Sequence, residues 1–141
     1  MEWNYYNTFI TVAPDCPAER GVVPPDKKTG KTKPGIEFEL LAESPYTLTQ
    51  EDILFEVNAR HKEIPAEELE EQRKAFYAKP TACFRASMLP KKYGWGVHFD
   101  EAGRMALVPM ESPEYRRFAE GQVADVKLLA AMRNSKAVRV K

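Results

Sequence analysis

Tyr93 to Pro109 reads YGWGVHFDEAGRMALVP, and how this stretch is read decides the kind of fold. Side chains alternate along an extended strand. If Trp95, Val97 and Phe99 face a core, then Gly94, Gly96 and His98 share the opposite side. A second apolar run, RMALVP, follows Asp100-Glu101-Ala102-Gly103. Aspartate at the first place and glycine at the last suit a type I turn with a glycine bulge. The stretch therefore predicts an antiparallel hairpin near residues 95–108.

Working outward from the hairpin, NTFITVA (Asn7 to Ala13) alternates and is rich in β-formers, so it reads as a strand. IEFELL places Ile36, Phe38 and Leu40 on one side and Glu37 and Glu39 on the other, the period of a half-buried strand. ACFRAS is a third candidate strand. Thr49 is placed to cap a helix running to about His61, with Glu51 and Asp52 in its first turn. Pro65 suits the start of a second helix, with Leu69, Phe76 and Tyr77 on its buried side. Ser112, Pro113 and Gly121 mark the cap, first turn and end of a third. VKLLAAM reads as a further helical turn or two. No regular βαβ alternation is present, so the expectation is an α+β domain, a mainly antiparallel sheet packed with two or three helices. Its expected extent is residues 1–121, with a Pro/Lys-rich loop at about 14–35 and a basic extension at 122–141, partly helical or frayed.

The loop carries a Gly30-Lys31-Thr32 triplet resembling a phosphate-binding turn. That motif needs a further glycine at position 25, where the chain has Pro25, which has no N–H to offer. Lys33-Pro34-Gly35 is also expected to block the helix that must follow. A solvated basic loop, with Lys27, Lys28, Lys31 and Lys33, is the better reading.

Composition narrows the partners. Lys+Arg and Asp+Glu are both 21, so no global field draws the protein to nucleic acid or lipid. Eight acids against four bases between Glu51 and Lys74 are best explained as wet helix faces. The amino terminus lacks the basic region and apolar run of a secretory leader, and no stretch has the length of a membrane span. Two cysteines far apart in sequence do not imply a disulfide framework, so a cytoplasmic protein is expected. His61, His98, Cys16 and Cys83 include no close pair of the kind that builds a zinc site, and neither a metal nor a cofactor is expected. A Cys16–His98 nucleophile pair is disfavoured because Asp15 opposes a thiolate beside it, and Cys83 reads as core.

The remaining candidate is Arg85 to Asp100. Gly94 and Gly96 beside His98 would leave a shallow trough with a titratable wall, next to Trp95 and fringed by Arg85, Lys91, Lys92 and Tyr93. Such a trough suits a small anion or a planar molecule. The alternative is that the glycines make room for an aromatic ring from Tyr5, Tyr6 or Phe84, and general experience of strand glycines favours that packing.

NYYNTFITVAPDCP near the start and KKYGWGVHFDEAGRMAL near the end resemble a family of small bacterial proteins classed only as a domain of unknown function. The resemblance implies a self-contained domain and brings no activity, ligand or catalytic residue with it. Three functions follow from the residues: a binding module at the glycine face, an enzyme using His98 as general acid or base, and a homo-oligomeric interaction or structural protein. A small-molecule ligand, with a monomer or homodimer and neither membrane nor nucleic acid as partner, is the leading expectation.

Overall fold

A computed structural model describes residues 4–27, 30–79 and 82–134. Its single sheet contains β1 (Thr8–Thr11), β2 (Trp95–Phe99), β3 (Met105–Pro109) and β4 (Lys127–Ala130). Their spatial order is β3-β2-β1-β4; β2 is antiparallel to β1 and β3, and β4 is parallel to β1. Five helices accompany it: α1 (Lys33–Glu43), α2 (Gln50–His61), α3 (Leu69–Tyr77), α4 (Met88–Lys92) and α5 (Pro113–Ala119). The domain is α+β.

The hairpin forms where the sequence places it. Gly103 N–H donates to the Asp100 carbonyl at 3.0 Å with φ +80, and Asp100 Oδ1 accepts from the Ala102 and Arg104 amides at 2.9 Å. Thr49 caps α2 in a reciprocal box with Asp52, and Ser112 caps α5 through the Tyr115 amide. These signals are local, so sequence alone reveals them.

Alternation in β2 then distributes the helices. Val97 and Phe99, with Ile10 and Met105, pack against Ile36 and Leu41 of α1, Ile53 and Val57 of α2, and Leu89 of α4. On the opposite side Phe9 stacks on Phe118 of α5 with centroids 4.5 Å apart and meets Tyr115 edge-on at 5.4 Å. Phe9 is fully buried there, which stabilises the fold by about 1.5–3 kcal/mol. Tyr115 reinforces this layer, its hydroxyl accepting from Val12 N–H at 2.9 Å. The outer edge of β3 is covered by residues 46–49, with Tyr46 N donating to Met105 O and Met105 N to Leu48 O, both at 2.8 Å.

Several sequence expectations are corrected. IEFELL is helical, because Thr32 caps α1 through the Gly35 amide and Pro34 sits in its first turn. Ile36, Leu40 and Leu41 form its buried side, so a pattern that also fits a strand serves a helix. Lys33-Pro34-Gly35 therefore opens a helix instead of blocking one. The ACFRAS segment forms a 3-10 turn over Phe84–Ala86 and the Ser87 cap of α4. VKLLAAM supplies β4, whose pairing with β1 overrides its helical composition: Lys127 N donates to Asn7 O at 2.8 Å and Ala131 N to Thr11 O at 3.0 Å. Part of the expected extension thus belongs to the sheet, while 135–141 lie outside the described residues. Leu69 is exposed; α3 packs instead through Phe76 on Phe55 and through Arg73, which lies over Phe55 and Tyr77.

The packing of β2 gives a direct test. A Cβ at Gly96 would lie 2.5 Å from Phe9 Cζ and 2.8 Å from Tyr115 Cε2. Gly96→Ala should therefore lower unfolding free energy by about 1–3 kcal/mol in urea titrations; unchanged stability would contradict the described packing.

Candidate functional site

The residues expected to form a trough do not converge. Gly96 lies against the rings of Phe9 and Tyr115, so its bare backbone is occupied by protein side chains other than the Tyr5, Tyr6 or Phe84 expected. Gly94, at φ +77, meets the Arg20 carbonyl, where a Cβ would approach to 2.3 Å. Trp95 turns to the face covered by α1, tilted against Phe38, and its Nε1 donates to Val22 O at 2.8 Å. Tyr93 caps the end of α4 and packs on the core, while Lys92 is exposed. Arg85 points to the far edge of the sheet, its Nε donating to Ala130 O at 2.7 Å.

His98 is half-buried beside α5, its ring centroid 4.5 Å from that of Phe118. Its Nδ1 shares a hydrogen bond with the Tyr46 hydroxyl at 2.8 Å. Burial lowers the imidazole pKa, and Asp100 partly opposes this. Tyr46 holds its position with φ 55, a left-handed conformation uncommon for a side chain of this size. Cys16 packs against the core and lies close enough to Tyr115 to raise that phenol's pKa. Among the described residues no three His, Cys, Asp or Glu side chains are grouped to hold a metal.

A different set of residues does converge. A cavity of about 200 Å³ opens between α1, α2, α3 and the segment running from Ala82 to Ser87. From α1 come Lys33 and Glu37, one turn apart on the same face. From α2 come Leu54, Val57 and Asn58, again at helical spacing, and α3 adds Phe76. Cys83, Phe84, Ala86 and Ser87 close the remaining side.

The polar groups here are tightly arranged. Ser87 Oγ donates to Glu37 Oε1 at 2.9 Å and itself accepts from the Leu89 amide at 3.1 Å, as the cap of α4. Ser87 is thus fixed by the helix it starts. Desolvation raises the Glu37 carboxyl from its ordinary 4.5 to about 7, against weaker opposing effects of the Ser87 hydrogen bond and the Lys33 charge. Asn58 is only 9% exposed, and among the described residues its side chain has no hydrogen-bond partner. Cys83 accepts a hydrogen bond from Tyr5 at 3.3 Å, and burial first, then Cys83, push that phenol up to about 12. Near neutrality Glu37 can therefore give or take a proton, while Asn58 offers both a donor and an acceptor.

Sequence reading missed Glu37 and Asn58 because a strand over IEFELL sends Glu37 to solvent. The available signal was Thr32 followed by Pro34, a cap and a first-turn proline, which puts Lys33 and Glu37 on one helical face.

Two further cavities are bordered mainly by charged side chains. One, of about 470 Å³, is bordered by Lys31, Glu39 and Arg60, which are already in ion pairs: Lys31 with Glu39 and Arg60 with Glu56. The other lies along the charged surface of α5.

The class is thus an α+β domain with helices on both sheet faces and one cavity lined by a desolvated carboxyl. The chain belongs to the family described as Family of unknown function (DUF6157), whose model matches residues 1–137. That match includes the β4 segment, in accord with its place in the sheet. No curated protein and no solved structure matches the chain. Among the described residues no helix is long and apolar enough to cross a membrane.

The carboxyl makes stability depend on pH with a definite sign. Between about 4.5 and about 7 the folded chain holds a proton on Glu37 that the unfolded chain has released, so stability falls as pH rises through this range. The shift corresponds to at most roughly 3 kcal/mol. Glu37→Gln should remove this part of the pH slope and be at least as stable as the native chain at pH 8 in urea unfolding. An unaltered slope between pH 5 and pH 8 would contradict the assignment.

Proposed function

We propose that the protein binds a small organic molecule in the cavity between α1, α2 and the Ala82–Ser87 segment, with Glu37 and Asn58 as its polar contacts. The observation that carries this reading is a desolvated carboxyl on α1 and, on α2, an amide without a side-chain hydrogen bond among the described residues, both lining one cavity. Both groups open on the cavity, so a ligand that pairs with them adds hydrogen bonds worth about 0.5–1.5 kcal/mol each. The apolar walls of Leu54, Val57 and Phe76 add area for a hydrocarbon part. Drug-sized sites span about 300–1,000 Å³. A cavity of about 200 Å³ therefore selects a smaller compound. The reading keeps the expected ligand-binding role and moves its location. The two free thiols fit a reducing compartment, and we place the protein in the cytoplasm.

Binding ranks ahead of catalysis because the Ser87 hydroxyl is engaged both as donor to Glu37 and as acceptor for the α4 cap. A second reading, His98 as general acid or base, has one observation in its favour: the Tyr46 hydroxyl held 2.8 Å from Nδ1 by a left-handed backbone. It ranks lower because Phe118 covers the imidazole and none of the three cavities includes it.

A thermal-shift screen of small metabolites tests the leading proposal. A compound at a hundredfold its Kd should add about 2.7 kcal/mol of stability. Ala86→Phe, which places a ring into the cavity, should abolish those shifts while retaining the native circular dichroism spectrum. Shifts that survive this substitution, or a screen without stabilising compounds, would contradict the proposal.

A further inference from the structure

The charges around the cavity specify more than a polar head. Glu37 is the one carboxylic acid and Lys33 the one basic side chain among its described lining residues, and they stand one turn apart on α1. Glu37 belongs to the desolvated wall, whereas Lys33 is exposed at the rim. Among the described residues neither forms an ion pair, although the Lys33 charge is close enough to act on the Glu37 carboxyl. Charged groups of opposite sign at this spacing commonly pair with each other across a helical turn. Here each is left with capacity for an outside partner.

The hydrogen-bonding capacity has a direction as well. Glu37 Oε1 already receives the Ser87 hydroxyl, and Oε2 has no partner among the described residues. The Asn58 side chain adds a second open acceptor on the facing helix. Two acceptors, one of them able to carry negative charge, match an ammonium, which presents several donors from one atom. At the rim Lys33 offers donors alone, which suits a carboxylate. A simple anion would meet Glu37 as a like charge, and a simple amine would pass Lys33 as one. A molecule with both groups satisfies each end.

Resting on the cavity reading above, we propose that the ligand is a small zwitterion of the amino-acid type. Its ammonium meets Glu37 and Asn58, its carboxylate meets Lys33, and its hydrocarbon part lies against Leu54, Val57 and Phe76. Neighbouring helical positions at this spacing have Cβ atoms about 5–6 Å apart, within reach of one short molecule bearing both charges.

Calorimetric titration of the full chain with the twenty standard amino acids and 5-aminopentanoate tests this. The best binder is then compared with its decarboxylated amine and its deaminated acid. At least one zwitterion should bind, and loss of either charged group should weaken binding tenfold or more. Glu37→Gln should weaken the zwitterion and the amine about tenfold without affecting the acid. Lys33→Met should weaken the zwitterion and the acid without affecting the amine. Failure of every zwitterion to bind, or an amine or acid that binds as tightly as its parent, overturns the proposal. If a neutral compound then still stabilises the native chain and loses that effect in Ala86→Phe, the cavity remains a binding site and only the zwitterion falls. If no compound of either kind binds, both readings fall together.

Discussion

The alternation of β2 is the constraint from which the rest of the molecule follows. Val97 and Phe99 must be covered on one side, and α1, α2 and α4 cover them. Phe9 from the adjacent strand must be covered on the other, and α5 covers it with Tyr115 and Phe118. Gly96 permits that second layer, since any side chain there would collide with both Phe9 and Tyr115. Slipping a strand by one residue would exchange its two faces and remove both layers. Once α1 and α2 are fixed on the first face, their neighbouring flanks bring Glu37 and Asn58 to one cavity. The cavity is therefore a consequence of the sheet's register, although no sheet residue lines it.

This arrangement also separates two uses of polar residues. Asp100, Thr49 and Ser112 satisfy turn and helix-end amides, and their chemistry is complete within the fold. Ser87 belongs to this group, yet its hydroxyl also donates a hydrogen bond to Glu37 and so orients that carboxyl. Glu37 and Asn58 differ: one carboxyl oxygen and the side-chain amide have no hydrogen bond among the described residues and open on the cavity. Polar groups left open on a shared cavity are the places where an outside molecule can add hydrogen bonds that the fold does not supply.

How much of this was legible in the sequence depends on the range of the interactions involved. The hairpin, the caps of α2 and α5 and the α+β class rest on residues within a few positions of one another, and they read correctly. IEFELL did not, because six residues satisfy both a period of two and an i, i+4 pattern; the choice is made by Thr32 and Pro34 just before them. β4 was misread because its extended form comes from pairing with β1, more than a hundred residues earlier in the chain. The cavity was invisible for the same reason: the hydrogen bond that orients Glu37 comes from Ser87, fifty residues away. His98 was singled out by its flanking glycines, whereas its actual partner, Tyr46, is 52 positions distant and carried no local signal.

Nuclear magnetic resonance of the side chains tests the central claim most directly. The Asn58 side-chain amide and the Glu37 carboxyl carbon are followed while a stabilising compound is added. The account predicts that both resonances move together and saturate at the same concentration, with His98 and Phe118 little affected. Movement confined to His98, Tyr46 and Phe118, with Asn58 and Glu37 unchanged, would contradict it.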